Sequence, residues 1–150
     1  MPSLAPPPPV PSRVAEHRLS LQGDILRIEV VGNLDLDMMK RLIAVYEACI
    51  AHFGYLLLLL DVRHSSGFDA DARKYAVQQS KDFASVQATA VYGAPAIVRG
   101  FMTLLSRATF LLSKGTAAEL RFVSSQDEGR AWLDQQRATL QQAATGRARP

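Results

Sequence analysis

The sequence predicts an α/β domain, with a mostly parallel mixed sheet, an N-terminal β-hairpin and about four helices in the order ββαβαβαβα. Three observations carry this. Tyr55 to Asp61 is an unbroken apolar run closed by a carboxylate, the pattern of a central strand covered on both faces. Apolar stripes at three- and four-residue steps separate the later strand-like runs, and strands joined through helices need crossovers, which make neighbours parallel. Near the start, two apolar runs flank a short Gly-containing loop, which makes an antiparallel hairpin.

The elements follow in order. Residues 1–12 are dominated by proline and are expected to form a disordered, extended tail, since proline donates no backbone hydrogen bond. Val14 to Leu21 and Ile25 to Val31 flank Gln22-Gly23-Asp24. In the second run Leu26, Ile28 and Val30 face one way and Arg27 and Glu29 the other, as in a half-buried strand. After Gly32 comes a helix with Met39, Leu42, Ile43, Tyr46, Ile50 and Phe53 on one stripe. Asp35 or Asp37 can cap its start and Gly54 can supply the left-handed stop. The Tyr55 to Asp61 strand follows.

A second helix, from about Asp69 to Ala84, has a weaker stripe of Ala72, Ala76, Val77 and Phe83, which suits the periphery. Ala88 to Tyr92 is a short strand closed by Gly93-Ala94-Pro95. The third helix runs from Ala96 to Lys114, uses Val98, Phe101, Leu105, Ala108 and Leu112 for its core stripe, and stops at Gly115. Glu119 to Val123 is the last strand. Ser125-Gln126-Asp127-Glu128 forms a capping box opening a helix that carries Ala131, Trp132 and Leu133. A domain over 13–141 with a frayed tail over 142–150 is expected.

Composition narrows the partners. Hydrophobic residues make up 48% of the 150 and charged ones 21%, enough for one ordinary globular core. The net charge is +3, but acids and bases balance between Leu19 and Leu140; the surplus lies in Arg13, Arg18, Arg147 and Arg149 against Glu16. Basic ends on a neutral body lack the clustered patch that a phosphate backbone requires, so no nucleic acid is expected. Cys49 is the single cysteine, so no intramolecular disulfide forms. The start has neither a basic nor an apolar leader region, and no apolar run is long enough for a transmembrane segment. A soluble, cytoplasmic protein is the expectation.

The element order, the Gly32-Asn33-Leu34-Asp35 segment leading into the first helix, and the Leu57 to Asp61 strand together resemble the STAS fold. Within that superfamily the chain is similar to the SpoIIAA-like branch, also described as STAS/SEC14-like. There, a strand like Ala88 to Gly93 precedes a long helix, and an ending like Leu120 to Val123 with Ala131-Trp132-Leu133 completes the domain. The resemblance covers roughly Arg18 to Arg137. It implies regulation by protein contact, or binding of a small, lipid-like apolar molecule, with no turnover and no cofactor.

It also bears on Ser65-Ser66-Gly67. In regulatory STAS proteins a Ser of an Asp-Ser-Ser-Gly segment, between the third strand and second helix, is phosphorylated. Ser65 and Ser66 are therefore candidate phosphorylation sites, where a helix N-terminus favours the added charge. The segment departs from that motif: His64 replaces the Asp, only Val62-Arg63-His64 separates Asp61 from Ser65, and Asp69-Ala70-Asp71 replaces an apolar continuation. A plain Ser/Gly turn is the alternative reading.

Catalytic and metal chemistry find little support in the residues. Asp61, His64 and Ser66 have the residue types of a hydrolase triad, but no Gly-x-Ser-x-Gly elbow accompanies them. His17, His52 and His64 are scattered, and one Cys supplies no structural zinc set. No Gly-rich phosphate loop is present. The third helix is the stronger candidate. Phe101, Met102, Leu104, Leu105, Phe110, Leu111 and Leu112 exceed one stripe, and Arg99, Arg107 and Lys114 interrupt them. Arg99, Met102, Arg107 and Phe110 are expected to form a contact surface, for another protein or a second copy as homodimer. A pocket for an apolar small molecule beside this helix, contact with a membrane surface, or a broad buried helix whose arginines reach solvent are the alternatives.

Overall fold

The computed structural model describes residues 6–80, 82–112 and 119–148. Six strands form one sheet in the spatial order β1-β2-β3-β4-β5-β6. They are β1 (Arg13–Val14), β2 (His17–Gln22), β3 (Ile25–Leu34), β4 (Leu56–Phe68), β5 (Gln87–Tyr92) and β6 (Glu119–Val123). The first three pair antiparallel and the rest parallel. The helices are α1 (Leu36–Phe53), α2 (Ala70–Ser80), α3 (Ala96–Leu112) and α4 (Gln126–Ala148), with a 3₁₀ turn over Ala84–Val86. This is the expected architecture, with the apolar run of β4 between β3 and β5.

Local chemistry explains the boundaries. Asp35, not Asp37, caps α1, its carboxylate accepting from the Met38 amide at 2.9 Å. Gly54 ends α1 at φ +85° with its N–H on the Ile50 carbonyl, a conformation that costs glycine least. Ser125 opens α4 by accepting from the Glu128 amide at 3.1 Å. Glu128 reaches back one residue further than the usual box, to the Ser124 amide and hydroxyl. The run expected as one strand over Val14 to Leu21 is divided by a two-residue turn at Ala15-Glu16, where Ala15 adopts φ +54°.

One boundary differs more. The Ser65-Ser66-Gly67 segment is not a turn. Strand β4 continues to Phe68, pairing His64, Ser65, Gly67 and Phe68 with Val31, Gly32, Asn33 and Leu34. Pairing of β4 with β5 ends at Asp61↔Tyr92, so β3 and β4 run on as a two-stranded ribbon with register shifts near Val31 and Gly32. The polar run Arg63-His64-Ser65-Ser66-Gly67 has little strand propensity of its own; the partner strand supplies the hydrogen bonds that hold it extended.

Side-chain alternation divides the core in two. Ile28, Leu58 and Leu60 face α1, α2 and α3, which converge over that side. Leu59 and Ala90 face α4, whose Gly129 sits so close that an added Cβ would lie 2.8 Å from Leu59 Cδ1. The fully buried Leu57, Leu58 and Leu59 show why β4 is apolar on both faces.

Candidate functional site

The exposed surface of α3 is the most unusual feature of the molecule. The helix begins after Pro95, whose carbonyl accepts from Arg99 N–H at 2.9 Å. Val98 and Met102 are buried, and Phe101 and Leu105 pack partly against the core. Phe101 lies edge-on to Phe68 with centroids 5.2 Å apart, beneath the Arg73 guanidinium. Among the described residues of α3, four large apolar side chains remain outside: Ile97 is 79% exposed, Leu111 77%, Leu104 64% and Phe110 46%. Exposed apolar groups are ordinary singly; several on one helix mark a surface with a use.

This corrects one member of the expected contact set. Met102 is 6% exposed and lines the interior beneath α3. It falls one helical turn after Val98, so whatever buries Val98 buries it too. Arg99, Arg107 and Phe110 do lie outside, with the Arg99 guanidinium 4.8 Å from the Phe122 ring. Leu104 and Leu111, part of the surplus beyond the core stripe, also lie outside, as does Ile97, which sequence reasoning missed. Their seven-residue spacing was the signal for a second stripe. Lys114 lies outside the described residues.

Ser65 and Ser66 lie on the β3/β4 ribbon. Ser65 is half-buried, its hydroxyl accepting from Gly67 N–H at 3.3 Å; Ser66 is exposed. Asp69, which precedes α2, accepts from Asn33 Nδ2 at 2.8 Å. Asp61 lies elsewhere in role: its carboxylate is 1% exposed and bound by Arg63 through Nε at 3.0 Å and Nη2 at 2.8 Å. Arg27 Nη2 adds a contact at 3.4 Å while its Nε donates to Gln126 on α4. Burial pushes the Asp61 carboxyl up, but the Arg63 hydrogen bonds and the two guanidinium charges outweigh it and hold the group below its ordinary value. Arg63 in turn stacks on Tyr92 and fills the space where a Cβ on Gly93 would stand. An Asp occupied in this way is not free to orient His64 as a base.

Sequence reasoning also passed over His17. It is fully buried, its Nδ1 accepting from the Val31 amide at 3.0 Å and its Nε2 lying 3.3 Å from Met38 Sδ. Desolvation lowers its pKa against the opposing charges of Asp35 and Glu16. The alternation of His17 with Leu19 and Leu21 was the available signal, since it puts the imidazole on the inward side of β2. Among the described residues no group of His, Cys, Asp or Glu is arranged to hold a metal ion.

A cavity of about 110 Å³ lies between the sheet and α1, α2 and α3. Ile28, Leu58, Leu60, Met39, Leu42 and Met102 supply apolar lining. The amide oxygen of Gln87, also in the lining, is buried with no partner among the described residues. The space is smaller than the roughly 150 Å³ that holds a single benzene. Among the described residues no helix is long and apolar enough to cross a membrane.

Comparison with known proteins agrees with this architecture. The model of the SpoIIAA-like family matches residues 25–134, from the start of β3 into α4. A DUF3478-family protein with a SpoIIAA-like fold from Shewanella loihica PV-4 is 19% identical with a TM-score of 0.51, over 78% of this chain and 91% of that one. The anti-sigma factor antagonist SpoIIAA in its unphosphorylated form is 12% identical with a TM-score of 0.56, over 79% of this chain and 97% of its own. At these identities the likeness is one of fold. Among curated proteins none matches. The family match spans most of the chain and the sheet and helices agree with it, so the chain belongs to the SpoIIAA-like family and its domain is STAS-like.

Proposed function

We propose that this chain is a non-enzymatic STAS-like module that acts by contact with another protein through the outer surface of α3. The observation that carries the reading is the exposure of Ile97, Leu104, Phe110 and Leu111 on one helix, flanked by Arg99 and Arg107. Large apolar groups beside arginine are the composition of interface centres. The occupied Asp61 supports the non-enzymatic part.

The test is a Leu104→Asp, Phe110→Asp double variant of the full chain. It is expected to keep its circular dichroism and melting temperature while losing partner capture in affinity purification. A folded variant with unchanged association would remove α3 from the interface.

Regulation by phosphate is a second, narrower proposal, and Ser66 is its acceptor because it is exposed while the Ser65 hydroxyl is engaged with Gly67. Phosphopeptide mapping of the native protein should place the modification at Ser66, and Ser66→Asp should change partner binding. A native protein that is unmodified both with and without its partner bound would end this proposal.

A further inference from the structure

Resting on the reading of α3 as a contact surface, we infer that its partner is an acidic amphipathic α-helix laid along a heptad seam of α3. Ile97, Leu104 and Leu111 are spaced by seven residues and all are strongly exposed. Two turns of helix separate successive members, so they form one row along the helix. Gly100 and Arg107 form the adjoining row, again seven apart. An apolar row alternating with a second row at three- and four-residue steps is the geometry into which another helix packs its side chains.

Gly100 gives the seam its specificity. Glycine within a helix is destabilising relative to alanine, so a packing reason is expected. Among the described residues there is none: a Cβ built on Gly100 meets nothing within 4 Å. Its missing side chain faces open space, bordered along the helix by Ile97, Phe101 and Leu104. Those four positions are the corners of one hole for a knob from a facing helix. The next hole, bounded by Leu104, Arg107, Ala108 and Leu111, contains an exposed guanidinium.

Charge then selects the partner. Arg107 is the charge beside the seam, Arg99 lying across the helix against Phe122, and α3 carries no carboxylate. Two copies of α3 face to face would bring arginines together without a counter-charge. A bilayer is met by a broad apolar face of about 100° or more; this seam is narrower and has Arg107 within it. A helix with a large apolar knob for the Gly100 hole and a Glu or Asp one heptad away satisfies both features.

The test uses the full chain and two fluorescein-labelled three-heptad synthetic peptides sharing a Leu seam, one flanked by Glu and one by Lys, read by anisotropy. The Glu peptide is expected to bind about tenfold or more tightly than the Lys peptide. Arg107→Glu should reverse that order. Gly100→Leu should raise the melting temperature, as a better helix former, while weakening Glu-peptide binding about tenfold or more. Equal affinity for both peptides, no binding of either, or a folded Gly100→Leu chain that binds as before would overturn the inference. So would binding to phosphatidylglycerol vesicles in place of the peptides, or a dimer that Leu104→Asp dissolves. If the Leu104→Asp, Phe110→Asp variant loses native partners but neither peptide binds the unsubstituted chain, α3 remains the contact surface and the acidic helix is excluded.

Discussion

Asp61 and His17 are both buried polar residues, and they respond to acid in different ranges. Desolvation holds the imidazole of His17 below its ordinary value of 6.5. Above that value both folded and unfolded chains carry it neutral; as pH falls below about 6.5 the unfolded chain takes the proton first, so stability drops until folded His17 also charges. Asp61 is shifted in the same direction at lower pH, because burial raises its carboxyl but the Arg63 hydrogen bonds and the charges of Arg63 and Arg27 lower it further. Its contribution is present above about pH 4 and is lost as pH falls through the lower folded value. Urea denaturation across pH should therefore show two separate losses. His17→Phe should remove the one beginning near 6.5, and Asp61→Ala should lower stability at pH 7 and remove the second loss, chiefly because the less exposed Arg27 guanidinium is left without its carboxylate. Cys49 gives a simpler expectation. Burial pushes its thiol up to about 11, so the native protein should resist iodoacetamide at pH 8 and react on unfolding, which mass spectrometry reads directly.

Helices α3 and α4 each contain an interior glycine, and the two should respond oppositely to alanine. Gly129 packs on the sheet, where a Cβ would stand 2.8 Å from Leu59 Cδ1 and 3.2 Å from Val123 Cγ2. Leu59 is fully buried and has little room to yield, so Gly129→Ala should cost about 1–3 kcal/mol by overpacking despite alanine's better helix propensity. On α3 the contrast lies between Met102 and Phe110. Met102→Asp puts a charge beneath the helix and should prevent folding or cost several kcal/mol. Phe110→Asp changes a partly exposed position and should shift the denaturation midpoint little. Similar losses from both would mean that α3 packs in a different rotation. The excess apolar content of α3 was legible from its sequence, but its rotation was not. A helix apolar nearly all round offers several stripes, and only the sheet chooses which is buried.

At the scale of the whole molecule, the two faces of the sheet are covered unequally. Three helices converge on the side of Leu58 and Leu60, while α4 with Trp132, Leu133 and Leu140 covers Leu59 and Ala90. The α4 side is also tied by charge: Arg137 donates to both Asp24 oxygens, at 2.6 and 2.7 Å, joining the last helix to the β2–β3 turn. A chain ended after Ser125 should therefore expose one full face of the sheet, bind anilinonaphthalene sulfonate and aggregate in sedimentation velocity. A monomeric, cooperatively melting truncation would show that α4 is dispensable.

The sequence by itself determined the order of elements, the central place of Tyr55 to Asp61, the Gly54 stop and the Ser125 start. Each depends on neighbours within a few residues, through periodicity, capping groups or backbone conformation. It also contained the surplus of apolar groups on α3. Tertiary structure alone decided that Ser65-Ser66-Gly67 is strand, that Met102 is buried while Ile97, Leu104 and Leu111 are not, and that Arg27 reaches Asp61. The physical reason is common to these cases: each outcome is set by a partner distant in sequence. A polar run becomes a strand when another strand completes its hydrogen bonds, and a helix acquires an inside and an outside only when it meets a sheet.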